Sequence, residues 1–129
     1  MSGVPAPAPV VEVLAGVRQS VMGVIETVLS TVDGLLVAAD ADAVHPESVS
    51  ALSASAHSLG LRLAGEAGGG ALRQLVTYSA GRHIVVAAVG ARALLTVIGD
   101  EGLDVTGLDR ELRGTVEKLE AILQGDSPV

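Results

Sequence analysis

The run Gly65-Glu66-Ala67-Gly68-Gly69-Gly70 is the first place to look for chemistry, because glycine-rich turns can aim backbone N–H groups at a phosphate. A phosphate loop follows a strand, opens a helix and carries Lys-Ser or Lys-Thr. This run does the reverse, ending a helical pattern and leading into a strand with no such pair behind it, so capping and linking is its reading. His45, His57 and His83 fall in three different elements, and none has a second His or a carboxylate at the spacing of a zinc helix. His57 is expected at the side of its helix, partly exposed. Ser50, Ser53, Ser55 and Ser58 share that helix, but no Gly-x-Ser-x-Gly elbow activates any of them. Asp40 and Asp42 follow a strand end without the continuation of a calcium loop. The expectation is therefore no catalytic residue, no metal ligand and no cofactor.

Composition narrows the class. The 129 residues are 49% hydrophobic with mean hydropathy +0.53, enough for a real core, yet Tyr78 is the lone aromatic. A core of Val, Leu, Ile and Ala is thin in large side chains, and burying further surface against a partner is a natural supplement. A net charge of −7 argues against nucleic acid, which needs clustered Lys and Arg. Arg110, Arg113 and Lys118 are interleaved with Asp109, Glu111, Glu117 and Glu120, as on a solvated helix face. No cysteine is present, so disulfides and thiolate chemistry are excluded. The start lacks the pattern of a signal peptide, and apolar runs such as Ile84 to Val89 are far shorter than the ~20 residues of a membrane helix. No membrane association is expected, and a cytoplasmic location is.

The elements that must position any site follow from periodicity. Val10, Val13, Leu14, Val17 and Val21 recur at steps of three and four, predicting a helix from Val10 to about Met22 that Gly23 stops. Val24 to Ser30 reads as a strand, and Leu35 to Ala39 as its hairpin mate across Asp33-Gly34, a pair suited to a type I′ turn with positive φ at both residues. A second helix is predicted from Pro46 to Ala64. Its stripe Val49, Leu52, Ala56, Leu59 and Leu63 is expected to pack on the sheet. A second stripe, Ala51, Ala54, Ser58 and Leu61, lies about half a turn away, small enough to admit another helix.

Leu72 to Ser79, His83 to Val89 and Arg92 to Ile98 read as three strands linked by short hairpins at Gly81 and Gly90. The last two are almost continuously apolar, which places them centrally with both faces covered. Arg73, Gln74 and Thr77 interrupt the first, which suits an edge. A final helix from about Thr106 to Gln124 carries Leu108, Leu112, Val116, Leu119 and Leu123, with Thr106 and Asp109 spaced as a capping box. The fold class is α+β: a five-stranded antiparallel sheet with helices on both faces, in the order α-β-β-α-β-β-β-α. Residues 1–9 read as a disordered Pro/Ala-rich lead, 10–124 as one domain, and 125–129 as a flexible tail.

The chain resembles the roadblock/dynein light chain family in its small bacterial branch. The resemblance rests on Gly23-Val24, the strand ending Val28-Leu29-Ser30, Asp33-Gly34-Leu35-Leu36-Val37-Ala38 and the Ala/Ser-rich second helix. It extends through Gly68-Gly69-Gly70-Ala71-Leu72-Arg73-Gln74 to the closing helix, covering about Val10 to Leu123. Ile25-Glu26 in the first strand and a Val/Ala first helix containing Gly16 depart from the pattern. What the resemblance implies is a helix–sheet–helix sandwich that dimerises, third strand against third strand and second helices side by side. It also implies a Ras-like GTPase as partner, bound through the second-helix face. The expected interface residues are Ala51, Ala54, Ser58, Leu61, Arg62, Arg73, Leu75 and Thr77. Arg62 lies near the contact side, but a solvating role is assigned to it rather than that of an arginine finger. The reading is thus a non-enzymatic homodimeric regulator or scaffold that binds the GTPase and influences its nucleotide state; the alternative is a small-ligand sensor, which requires a sizeable internal cavity with convergent polar groups, or a structural scaffold without a GTPase partner.

Overall fold

The computed structural model describes residues 8–125. Its elements are α1 (Ala8–Ser20), β1 (Val24–Thr31), β2 (Leu36–Asp40), α2 (Pro46–Glu66), β3 (Gln74–Tyr78), β4 (His83–Val89), β5 (Ala93–Gly99) and α3 (Val105–Leu123). The five strands form one antiparallel sheet in the order β2-β1-β5-β4-β3, so the expected fold class is the observed one. Every residue of β5 is buried, which explains its unbroken apolar sequence. β3 is an edge strand, as its interrupting polar residues require. Ala8 and Pro9 belong to α1 rather than to a disordered lead. The rest of that lead, and the tail beyond Gly125, lie outside the described residues.

Side chains alternate between two faces of the sheet. One face carries Leu29, Val85, Ala87, Leu95 and Val97, covered by α1 through Val10, Leu14 and Val17 and by α3 through Leu108, Leu112 and Leu119. All of these are buried in one hydrophobic cluster, so the stripes read for the first and last helices point where expected. The Thr27 hydroxyl, at 3.5 Å from the Leu14 carbonyl oxygen, ties β1 to α1. On the rim, Arg18 and Asp40 form an ion pair at 3.2 Å. The opposite face lies under α2.

Two local expectations change. Asp33-Gly34 is not a type I′ turn, because Gly34 alone has positive φ, +94°. The loop spends three residues, closed by Gly34 N–H donating to the Thr31 carbonyl at 3.0 Å and Thr31 N–H donating to the Leu35 carbonyl at 2.8 Å. The Thr31 hydroxyl also accepts from Leu35 N–H at 3.0 Å, and this extra bond accompanies the longer loop. At α3 the cap is Asp104, whose carboxylate accepts from Gly107 N–H at 3.0 Å; Thr106 already lies inside the helix. Gly23 does what its position requires. It takes φ +92°, and a Cβ there would sit 2.6 Å from Leu103 Cα, so only glycine lets the chain leave α1 beneath the α3 approach loop.

Candidate functional site

α2 begins on a carboxylate. Glu26 is buried in β1, and its Oε1 accepts from the N–H groups of Asp42 (2.8 Å), Ala43 (2.9 Å) and Val44 (3.2 Å). Burial pushes its pKa up, but the three N–H groups, helped by the positive field of Arg82, outweigh that and hold it below the ordinary 4.5. The loop thus fixed delivers Pro46 to the first turn of α2, with Glu47 beside it.

From there α2 lies on the sheet by an unexpected face. Its buried residues are Ser50, Ser53, His57 and Gly60, at steps of three and four. Ser53 accepts a 2.7 Å hydrogen bond from the Thr96 hydroxyl on β5, and Ser50 donates to its own helix at the Pro46 carbonyl, 2.8 Å away. Gly60 packs closely at β3 and the residues leading into it: a Cβ there would meet Leu72 Cδ2 at 2.9 Å and Leu75 Cδ1 at 3.5 Å. His57 is buried rather than partly exposed, and burial lowers its pKa, favouring the neutral ring. The Ser30 hydroxyl on β1 is buried without a hydrogen-bond partner.

The leucines are on the outside. Leu52, Leu59 and Leu63, assigned to the sheet on periodicity, are 70%, 65% and 70% exposed. The expectation failed because an apolar helical stripe marks a surface that will be buried without saying by what. At 100° per residue these three lie within roughly 40° of one another, nearer the Gly60 flank that meets β3 than the opposite flank.

The eight residues singled out from sequence divide into three groups. Ala51 and Ala54 belong to the opposite flank, packed at the β1–β2 loop, where a Cβ on Gly34 would lie 3.3 Å from Ala51 Cα and 3.5 Å from Ala54 Cβ. Ser58, Leu61 and Arg62 are exposed on the outer surface of α2. Arg73 and Thr77 are exposed and Leu75 half-buried along β3. Thus β3 and the Gly60 side of α2 come together, whereas Ala51 and Ala54 face elsewhere. Sequence reading missed Glu26, Gly60 and the outward leucines. The signal available for the last was the competing polar stripe at Ser50, Ser53, His57 and Gly60.

β3 also offers backbone. Ala88 N–H donates to the Arg73 carbonyl and Ser79 N–H to the Arg82 carbonyl, so the odd-numbered residues of this strand bond to β4. The N–H and C=O groups of Gln74, Val76 and Tyr78 therefore point away from the sheet, along its open edge. Among the described residues, no three His, Asp or Glu side chains gather where they could hold a metal ion, and no helix is long and apolar enough to cross a membrane. The described concavities include two open grooves along α3, one of about 570 Å³ against α1 and one of about 490 Å³ toward β3.

Solved structures share this architecture. A roadblock/LC7 domain from Streptomyces avermitilis superposes with a TM-score of 0.82 at 24% identity, over 88% of this chain and 96% of that one. MglB of Myxococcus xanthus gives 0.82 at 17% identity, over 92% and 97%. The gliding protein MglB of Thermus thermophilus gives 0.78 at 21% identity, over 92% and 93%. No curated protein matches at the level of sequence. The Roadblock/LC7 domain family model, however, matches residues 10–99, from the first turn of α1 to the end of β5. The chain belongs to the Roadblock/LC7 domain family.

Proposed function

We propose that the protein is a non-enzymatic homodimeric regulator that binds a small Ras-like GTPase and biases its nucleotide state. The observation that carries the reading is the placement of Leu52, Leu59 and Leu63, outside the fold and beside an open strand edge. A surface of this kind is characteristic of a protein–protein contact. Membership of the family supports the rest, since many bacterial roadblock proteins act on Ras-like GTPases through the second-helix face. Regulation would follow from binding one switch conformation of the GTPase more tightly than the other. The outer surface of α2, with Ser58, Leu61 and Arg62, is the side such a partner meets.

Sedimentation at ~10 µM, a concentration typical of a moderate interface, tests the dimer. The native chain should sediment as a dimer and Leu59→Glu as a folded monomer with an unchanged far-UV spectrum. Capture of a co-encoded Ras-like GTPase loaded with GTP or GDP analogues tests the partner, and binding should differ between the two. A native monomer, or equal indifference to both nucleotide states, removes the corresponding half of the proposal. Ala54→Arg is a poorer probe, because Ala54 is half-buried against the β1–β2 loop.

A further inference from the structure

A single buried carboxylate bears on the placement of both α2 and the β3 edge. Glu26 sits on the α2 face of β1, and cross-strand pairing sets it in one row with Ile98 of β5, Ile84 of β4 and Thr77 of β3. That row runs from the entry of α2 to the open edge, about 14 Å over three strand spacings. At one end the Glu26 carboxylate gathers the N–H groups of Asp42, Ala43 and Val44. Toward the other, Arg82 of the β3–β4 hairpin adds a favourable field at Glu26. His45, the N-cap of α2, makes no side-chain capping bond, so the approach loop is held from β1 and not by a cap. Ile25-Glu26 is also a point where the chain departs from the family pattern. We infer that Glu26 is a positioning residue for assembly: it sets the course of α2 over the sheet, so that Leu52, Leu59 and Leu63 are presented in one arrangement relative to β3. This rests on the homodimer proposed above and adds what holds its surface in place.

The need for such an anchor follows from the polar underside of α2. Interlocking side chains fix how a helix lies on a surface, and of the four buried residues Ser50, Ser53, His57 and Gly60 only His57 is large. The Ser50 hydroxyl turns back to the Pro46 carbonyl, within its own helix. The Gly60 approach is closed by Leu72 Cδ2 and Leu75 Cδ1, the flexible ends of two side chains. Direction then comes from the Thr96–Ser53 hydrogen bond at mid-helix and from the Glu26 carboxylate at the entry. Without the second, Ser53 becomes a pivot. A tilt of about 10° there carries Leu59, roughly 9 Å along the axis, sideways by about 1.6 Å, and Leu63, roughly 15 Å along, by about 2.6 Å. Leu52, beside the pivot, stays in place. Shifts of that size spoil the close packing of leucines against a second copy. The sheet itself, with β5 buried between β1 and β4, is untouched by them.

Glu26→Gln keeps the size of the side chain and removes its charge. Its dimer dissociation constant is compared by sedimentation with those of the native chain and of Leu95→Ala, a core truncation on the other face of the sheet, at a temperature where all three are folded. Glu26→Gln should dimerise at least about tenfold more weakly than the native chain, and Leu95→Ala within about threefold of it. Native-state amide exchange adds a readout that a general loss of stability would not move selectively. In Glu26→Gln the N–H groups of Asp42, Ala43, Val44 and α2 should exchange faster, while those of α1 and α3 keep their native rates. If Glu26→Gln does not fold, Glu26→Asp, which keeps the charge and withdraws it by one methylene, is held to the same comparison. A native dimer whose dissociation constant is unchanged by the substitution overturns the positioning role and leaves the homodimer standing. So does equal weakening in Glu26→Gln and Leu95→Ala, since assembly then follows stability alone. A native monomer overturns the homodimer and the inference with it.

Discussion

The two faces of the sheet are built on opposite plans. Beneath α1 and α3 the contact is mainly aliphatic, with Leu14, Leu29, Leu95, Leu108 and Leu119 fully enclosed and Thr27 a buried polar exception. Beneath α2 the contact is made by serine, histidine and glycine against Thr96 and the strand surface, while α2 holds its leucines outward. One face spends its apolar residues on holding the monomer together. The other sets buried Val28, Val86, Leu94 and Ile98 of the sheet against the polar stripe of α2, whose leucines face outward. The lesson is that two amphipathic helices of one small fold can aim their stripes at different destinations, and only geometry tells which.

Core truncation should show the contrast at its largest. Leu95→Ala should cost about 2–5 kcal/mol in urea unfolding, because it opens a cavity between α1, α3 and the sheet. Glu26→Gln comes next. Losing the charged acceptor shared by three N–H groups should cost about 1–3 kcal/mol, measured the same way. Ser53→Ala, which strands the Thr96 hydroxyl, should cost about 1 kcal/mol, and adding Thr96→Val should recover most of it. If that double variant were as damaged as a core truncation, the polar seam would be as essential as the aliphatic one and the contrast would fall.

Acid should also separate the plans. His57 has its pKa lowered by burial, so the unfolded chain binds more protons, and stability is lost as pH falls below about 6.5. Glu26 is depressed as well, so its contribution is complete above 4.5 and is lost as pH falls through the folded-state value. Both losses belong to the α2 side. His57→Ala should remove the upper one from a pH series of melting curves and leave the lower. At the bottom of the scale, Leu59→Ala should change the stability of the dilute monomer by less than about 0.5 kcal/mol. A cost equal to that of Leu95→Ala would mean that the outward leucines serve the monomer after all.

How much of this was legible depended on whether local chemistry and destination agreed. For α1 and α3 they did: Val10, Leu14, Val17 and Leu108, Leu112, Leu119 are both periodic and inward. β4 and β5 were legible because strands covered on both faces must be apolar throughout, and β3 because Arg73, Gln74 and Thr77 could not be. α2 was misread because Leu52, Leu59 and Leu63 obey the rule for an inward face, and the inversion lies in partners that periodicity does not name. Asp33-Gly34 was half legible. Its glycine needed positive φ, but the aspartate did not, in a loop where the Thr31 hydroxyl accepts from Leu35 N–H four residues on. Glu26 gave no signal of its acceptor role, because its partners are backbone groups of Asp42, Ala43 and Val44, supplied by a loop and not by a motif.

The strand order β2-β1-β5-β4-β3 has a consequence for synthesis. The first four strands leave the ribosome as two separate hairpins, β1–β2 and β3–β4, each with an inner edge that has nothing to bond. The strand that joins them is the last of the five, and it closes a span from Val24 to Gly99. Non-local pairing of this kind is slow to form relative to a hairpin. Until Gly99 emerges, the nascent chain carries two naked strand edges flanked by Val and Ile, the state most open to wrong pairing between neighbouring chains. Pulse-labelled amide exchange should find the β1–β5 ladder protected last. The keystone of the sheet is the piece that arrives after the arch.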